Sequence, residues 1–185
     1  MFKEWRLLFR TIPNILSLVR ALILAPAVVI FFLLGYHTLA GILFSLAAVT
    51  DFLDGYIARN YNQGSEIGKF LDGAADKVLV LCPLTCLVLV GVWWWLIALI
   101  FAREILILFG RLLINSTPEL QAAVQVRRSG KIKATIQYVA IILVILGFPW
   151  PNFAIGIAAA FTIWSAYDYV IVFLELKRNI PTQHL

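Results

Sequence analysis

Polar sequence is what this chain lacks. Of its 185 residues, 14% are charged and 62% hydrophobic, and mean hydropathy is +0.93. A soluble domain is nearer half apolar. No polar stretch is long enough to build a water-soluble domain, so the excess points to a bilayer. Cysteine is nearly absent. Cys82 and Cys86 stand one helical turn apart inside an apolar run, which rules out bridging them without distortion and makes them packing residues. No internal repeat and no low-complexity tract is present. No small-residue cleavage site follows a short apolar core near the start, so a cleavable signal is not expected.

What is there in place of polar sequence is a series of apolar runs near the roughly 20 residues that a bilayer requires. Six are predicted, at 14–35, 38–60, 67–90, 93–115, 130–148 and 152–177. The second and third carry charge at one end only, so a plain hydropathy scan draws both too short. Ahead of them, Phe2, Trp5, Leu8, Phe9 and Ile12 recur at helical spacing, with Lys3, Glu4, Arg6 and Arg10 on the other face. That pattern predicts a helix lying on the membrane surface, ended by Pro13. The fold class expected is therefore all-α integral membrane, six transmembrane helices preceded by a short N-terminal amphipathic interfacial helix. Its parts are an amphipathic segment 1–12, a membrane domain 13–178 and a tail 179–185.

Lysine and arginine set the orientation. They are missing from the turns at 36–37, 89–95 and 147–152 and gather at 3–10, 59–69, 111, 127–133 and 177–178. By the positive-inside rule the second group is cytoplasmic. Both termini then lie inside, as six spans require. Trp93, Trp94, Trp95 and Trp150 fall at the opposite boundary, where indoles favour the interface. The net charge of +5 follows from the same rule and calls for no nucleic acid. The polar segment 116–129 is expected to be a cytoplasmic loop.

Four aspartates break the apolar pattern. Asp51, Asp54, Gly55 and Ala58 follow at i, i+3, i+4 and i+7, and Gly68, Asp72 and Asp76 at i, i+4 and i+8. On helices each set occupies one face. Two carboxylates per face are flanked by residues with almost no side chain, which lets a ligand approach the backbone. The second helix runs outward to inward and the third returns, so all four acids reach one level at the cytoplasmic end. A charge at mid-bilayer costs at least ~2.5 kcal/mol. Helix-end acids salt-bridged to Arg59, Lys69 and Lys77 would account for one such residue but not for four on matching faces. A hard divalent cation resolves the cost. Oxygen-only ligands without a nearby histidine favour Mg²⁺ or Mn²⁺ over zinc.

The spacing D-x2-D-G-x2-A-R-x8-G-x3-D-x3-D, filled by Asp51, Asp54, Gly55, Ala58, Arg59, Gly68, Asp72 and Asp76, resembles that of the CDP-alcohol phosphotransferase family. The resemblance covers nearly the whole chain. It implies transfer of a substituted phosphate from a CDP-linked donor to an alcohol, with release of CMP. It implies that Asp51, Asp54 and Asp72 bind one or two metal ions, and that Asp76 binds metal, deprotonates the acceptor hydroxyl, or both. It also implies that Gly55, Ala58 and Arg59, with Gly68 on the facing stripe, lie against the cytidine diphosphate. Residues 12–26, with Asn14 and Arg20, are similar to the helix start that lines the nucleotide pocket. A homodimer is the family's habit.

Within that family the chain is most similar to the phosphatidylglycerophosphate synthases. Arg103 and Glu104 stand as a pair in an apolar run, and residues 130–137 read GKIKATIQ, both as in that branch. The resemblance implies CDP-diacylglycerol as donor and glycerol 3-phosphate as acceptor. Such a dianion needs a cationic cradle, and Arg103, Arg111, Lys131 and Lys133 are placed to supply one. The two lysines equally satisfy the positive-inside rule or a contact with anionic lipid. Gly73 stands where that branch commonly has proline. A cardiolipin synthase taking phosphatidylglycerol is the alternative acceptor reading. An ion-binding transporter would place its acids near the midplane on broken helices. The expected location is a bacterial-type inner or plasma membrane, with membrane lipids around the helices and the active site facing the cytoplasm.

Overall fold

The computed structural model of the chain describes residues 17–61, 66–114 and 128–179, with side-chain positions for 17–51, 75, 77–108 and 129–171. The described residues are helical throughout, apart from short turns, and contain no strand. Six helices follow one another: α1 Ser17–Leu33, α2 His37–Tyr61, α3 Glu66–Cys86, α4 Trp94–Ile114, α5 Arg128–Ile145 and α6 Pro151–Asn179. At 1.5 Å per residue the 21 residues of α4 rise about 31 Å, the span of a hydrocarbon core. The amphipathic segment 1–12 lies outside the described residues, as does most of the expected loop 116–129. α5 already begins at Arg128, two residues before the run predicted for it.

By length and composition alone, Pro151–Ile171 is the one described segment apolar enough to cross a membrane. Ser17–Leu33, His37–Asp51 and Lys77–Val90 are shorter apolar stretches.

α1, α5 and the 3-10 turn Leu87–Val90 that continues α3 end in the same way. Gly35, Gly91 and Gly147 have φ of 82°, 87° and 86°. In each case the glycine N–H reaches the carbonyl three residues back, and the next N–H reaches the carbonyl five back. Gly35 N to Phe32 O is 3.1 Å and Tyr36 N to Phe31 O is 2.9 Å, and the same bonds recur at Val88–Gly91, Leu87–Val92, Val144–Gly147 and Leu143–Phe148. This is the double cap that absorbs the last carbonyls of a helix, and it requires left-handed backbone. Phe31 and Tyr36 close the first of them with an edge-to-face ring contact at 6.4 Å. All three caps fall in the turns without lysine or arginine. Asn152 ties two of these turns together, accepting from Trp93 N at 2.7 Å and donating to Gly91 O at 3.0 Å.

α1 lies against both α2 and α3, α5 against α6 and α2, and α4 against α6 and α3. The shared core is small and aliphatic: Ala25, Ala40, Ala47, Leu79, Ile100, Ile141, Ile155 and Ala158, with Phe44 among them. Polarity is distributed inside out. Arg20, Arg103, Glu104, Lys133 and Gln137 are buried, while Leu22, Ile30, Leu106, Phe153 and Val170 are exposed along the helix flanks. Water would reverse that arrangement, and lipid stabilises it.

Candidate active site at the charged end of the bundle

The first polar contact is set by a fault in α1. Pro26 has no N–H, and its ring crowds the carbonyl of Leu22. The ladder slips by one residue ahead of it. Arg20–Leu24 is a π turn, and Ala25 N–H bonds to Arg20 O. Such bulges turn the preceding side chains relative to a regular helix. Arg20, 1% exposed, donates from Nη1 to Asp51 Oδ1 on α2 at 2.5 Å. From α5, Tyr138 donates its hydroxyl to Asp51 Oδ2 at 3.1 Å, and its ring stands 5.7 Å from Phe44 of α2. Among the described residues each oxygen of Asp51 thus accepts one bond and keeps a further lone pair, with the carboxylate held from two sides.

A second cluster lies on the other side of α5. Glu104 of α4, 2% exposed, accepts from Lys77 of α3 at Oε2 and from Lys133 of α5 at Oε1. Arg103 Nη1 also reaches Glu104 Oε1, at 3.1 Å. α6 holds Arg103 in place. Ser165 Oγ accepts from its Nη2 at 2.8 Å, and the Tyr169 ring lies 5.6 Å from its guanidinium carbon, a cation–π contact. Tyr169 also packs beside Gly130 of α5, its hydroxyl 3.6 Å from where a Cβ would stand, an ordinary contact distance. Nearer the charged end, Ser129 donates to Asp168 at 2.6 Å. α3, α4 and α5 therefore bring three cations to one buried carboxylate, and α6 steadies one of them.

Of the residues expected at the site, Arg20 and Asp51 are in contact, and Arg103 and Lys133 meet at Glu104. Lys131 is exposed. It is two positions from Lys133, so it stands about 200° around α5 and away from that cluster. Gly55, Ala58, Arg59, Gly68, Asp54, Asp72 and Asp76 occupy helical backbone in α2 and α3, and Arg111 in α4. Their side chains are outside the described positions, and Asn14 is outside the described residues altogether. Among the described residues no three acids, histidines or cysteines gather as a metal site. Asp51 is the only one of the four aspartates whose side chain is included.

Tyr138 and Ser165 are not singled out by the sequence, and Lys77 enters there only as a salt-bridge partner for helix-end acids. Tyr138 and Asp51 are 87 residues apart, and no local pattern pairs them. Lys77 follows Asp76 directly and reads as a helix-end charge. The available signal for Ser165 and Tyr169 was their spacing of one turn on α6, with Asp168 between them.

A family model described as CDP-alcohol phosphatidyltransferase matches residues 10–164. A CDP-diacylglycerol–glycerol-3-phosphate 3-phosphatidyltransferase of Bacillus subtilis is 36% identical over 142 residues, covering 72% of each chain. Proteins of the same name from Salmonella choleraesuis and Escherichia coli K12 are 34% and 35% identical over 170 residues, 86% of this chain and 92% of theirs.

Proposed function

The chain belongs to the CDP-alcohol phosphatidyltransferase family, and on that premise we propose that it transfers the phosphatidyl group of CDP-diacylglycerol to glycerol 3-phosphate, releasing CMP. The observation that carries the choice of acceptor is the convergence of Lys77, Arg103 and Lys133 on the buried Glu104 carboxylate, with Lys133 on the same helix, α5, whose Tyr138 grips Asp51. A phosphorylated acceptor and a diphosphate donor require two adjoining anion sites, and these two clusters are the candidates for them.

Asp51, with Asp54, Asp72 and Asp76, would hold Mg²⁺ or Mn²⁺, one or two ions, which when bound offset the charge of the donor's diphosphate. Asp51 suits that role, since its hydrogen bonds leave a lone pair on each oxygen. Arg20 fixes one of its oxygens through a direct ion pair. Asn14, Arg20, Gly55, Ala58, Arg59 and Gly68 would form the cytidine diphosphate pocket. Asp76 would take the proton of the acceptor's primary hydroxyl as its oxygen attacks the phosphatidyl phosphorus. The bond to the CMP oxygen breaks, and CMP leaves with its electron pair. Positioning and charge neutralisation contribute most to such a reaction. Arg103 and Lys133 would hold the acceptor phosphate, with Arg111 and Lys131 at its approach.

The wider reading is a membrane domain 13–178 of six spans after an interfacial helix 1–12, with a short tail 179–185. It would lie in a bacterial inner membrane as a homodimer, charged end toward the cytoplasm. The test is CMP release by purified protein from CDP-diacylglycerol. Turnover is expected with glycerol 3-phosphate and a divalent ion, and none with chelator. Turnover with phosphatidylglycerol alone would replace this acceptor with that of a cardiolipin synthase.

A further inference from the structure

Buried polar residues form a stripe on α5. Ser129, Lys133 and Gln137 stand at i, i+4 and i+8 and are all buried, and the stripe continues inward as Ile141 and Ile145. Ser129 donates to Asp168 and Lys133 to Glu104. Gln137, 1% exposed, is different: its amide nitrogen Nε2 is buried without a hydrogen-bond partner among the described residues. An unmet buried donor costs the full desolvation of that group. Methionine would fill nearly the same volume without that cost. Folding therefore gives no reason for glutamine at this position, whereas a ligand that supplies an acceptor does.

The position of Gln137 says which part of a ligand it meets. Lys133, one turn nearer the charged end and about 6 Å along the axis, belongs to the cation cluster. Tyr138, the next residue, reaches Asp51. Gln137 lies between the two. Glycerol 3-phosphate has the same order along its length: phosphate at one end, the reacting primary hydroxyl at the other, the 2-hydroxyl in the middle. We propose that Gln137 is a specificity-determining residue whose Nε2–H donates to the 2-hydroxyl of the acceptor. The inference rests on the function proposed above.

The test compares glycerol 3-phosphate with 3-hydroxypropyl phosphate, which lacks only the 2-hydroxyl, in CMP release by the full chain in lipid nanodiscs. For the unaltered protein, kcat/KM is expected to fall about tenfold or more without that hydroxyl, because the buried donor then stays unmet. For Gln137→Met the two acceptors are expected to perform within about twofold of each other, with KM for CDP-diacylglycerol unchanged. Its Tm is expected to equal or exceed that of the unaltered protein, since an orphaned donor has been removed. A Gln137→Met protein that keeps the original discrimination overturns the proposal. So does a fall in Tm or a failure to fold, which would mean that the amide serves the structure through an ordered water. If the unaltered protein uses 3-hydroxypropyl phosphate as well as glycerol 3-phosphate, the proposal is overturned while the function stands. If it uses neither, the functional reading fails and takes this inference with it.

Discussion

Asp51 is held by a buried arginine from α1 and a tyrosine from α5, so three helices decide where one carboxylate stands. The two donors are not equivalent. Arg20 supplies charge, and Tyr138 supplies direction. Tyr138→Phe keeps the ring against Phe44 and removes only the hydroxyl. It is expected to weaken Mn²⁺ binding, read by electron paramagnetic resonance, about tenfold or more, the usual effect of losing a group that orients a metal ligand. Asp51→Asn removes a ligand charge itself and is expected to lower CMP release by roughly 100-fold or more at saturating Mg²⁺. Wild-type activity in that variant would remove Asp51 from the metal site. Glu104 acts on stability as well as on chemistry. Glu104→Gln leaves buried cations without their shared carboxylate and is expected to cost about 3 to 5 kcal/mol, seen as a large fall in Tm. Arg20, Asp51 and the pair Arg103–Glu104 were legible as polar residues in apolar surroundings. Their pairings were not, because contact across 27 to 87 residues depends on which helix faces come together.

At the scale of helices, the sequence carried the element order well. Predicted runs and observed helices agree to within a few residues because hydropathy, glycine and proline act locally. Gly91→Ala places a Cβ on left-handed backbone and is expected to destabilise by about 1 to 2 kcal/mol. Gly156, inside α6, has nothing within 4 Å of a Cβ, so Gly156→Ala is expected to be neutral or slightly stabilising. Thermal unfolding of the two variants side by side separates capping from packing, and equal effects would remove the capping argument. The π turn ahead of Pro26 is a local fault with a distant result. Such turns mark a ladder broken by a missing donor, and here the displaced side chain is the one that meets Asp51.

Over the whole of the described residues, apolar flanks surround an aliphatic core and buried polar clusters gathered toward one end. The three glycine caps and the Asn152 tie mark the opposite end. If the charged end is cytoplasmic, a cysteine introduced at Tyr36 or Trp150 in a chain whose own cysteines are replaced reacts with an impermeant maleimide in intact cells. One at Lys131 reacts only after permeabilisation, and the reverse pattern would invert the orientation. Helix order, the level of the aspartates along α2 and α3, and the sign of each end were determined by sequence alone, because they follow from local periodicity and from where charge can stand in a bilayer. The tertiary structure decided which polar side chains share a site. It placed Lys133 inward and Lys131 outward, joined Tyr138 to Asp51, and left the Gln137 amide nitrogen without a partner among the described residues. These outcomes depend on the rotation of each helix against its neighbours, which is set by packing between residues far apart in the chain.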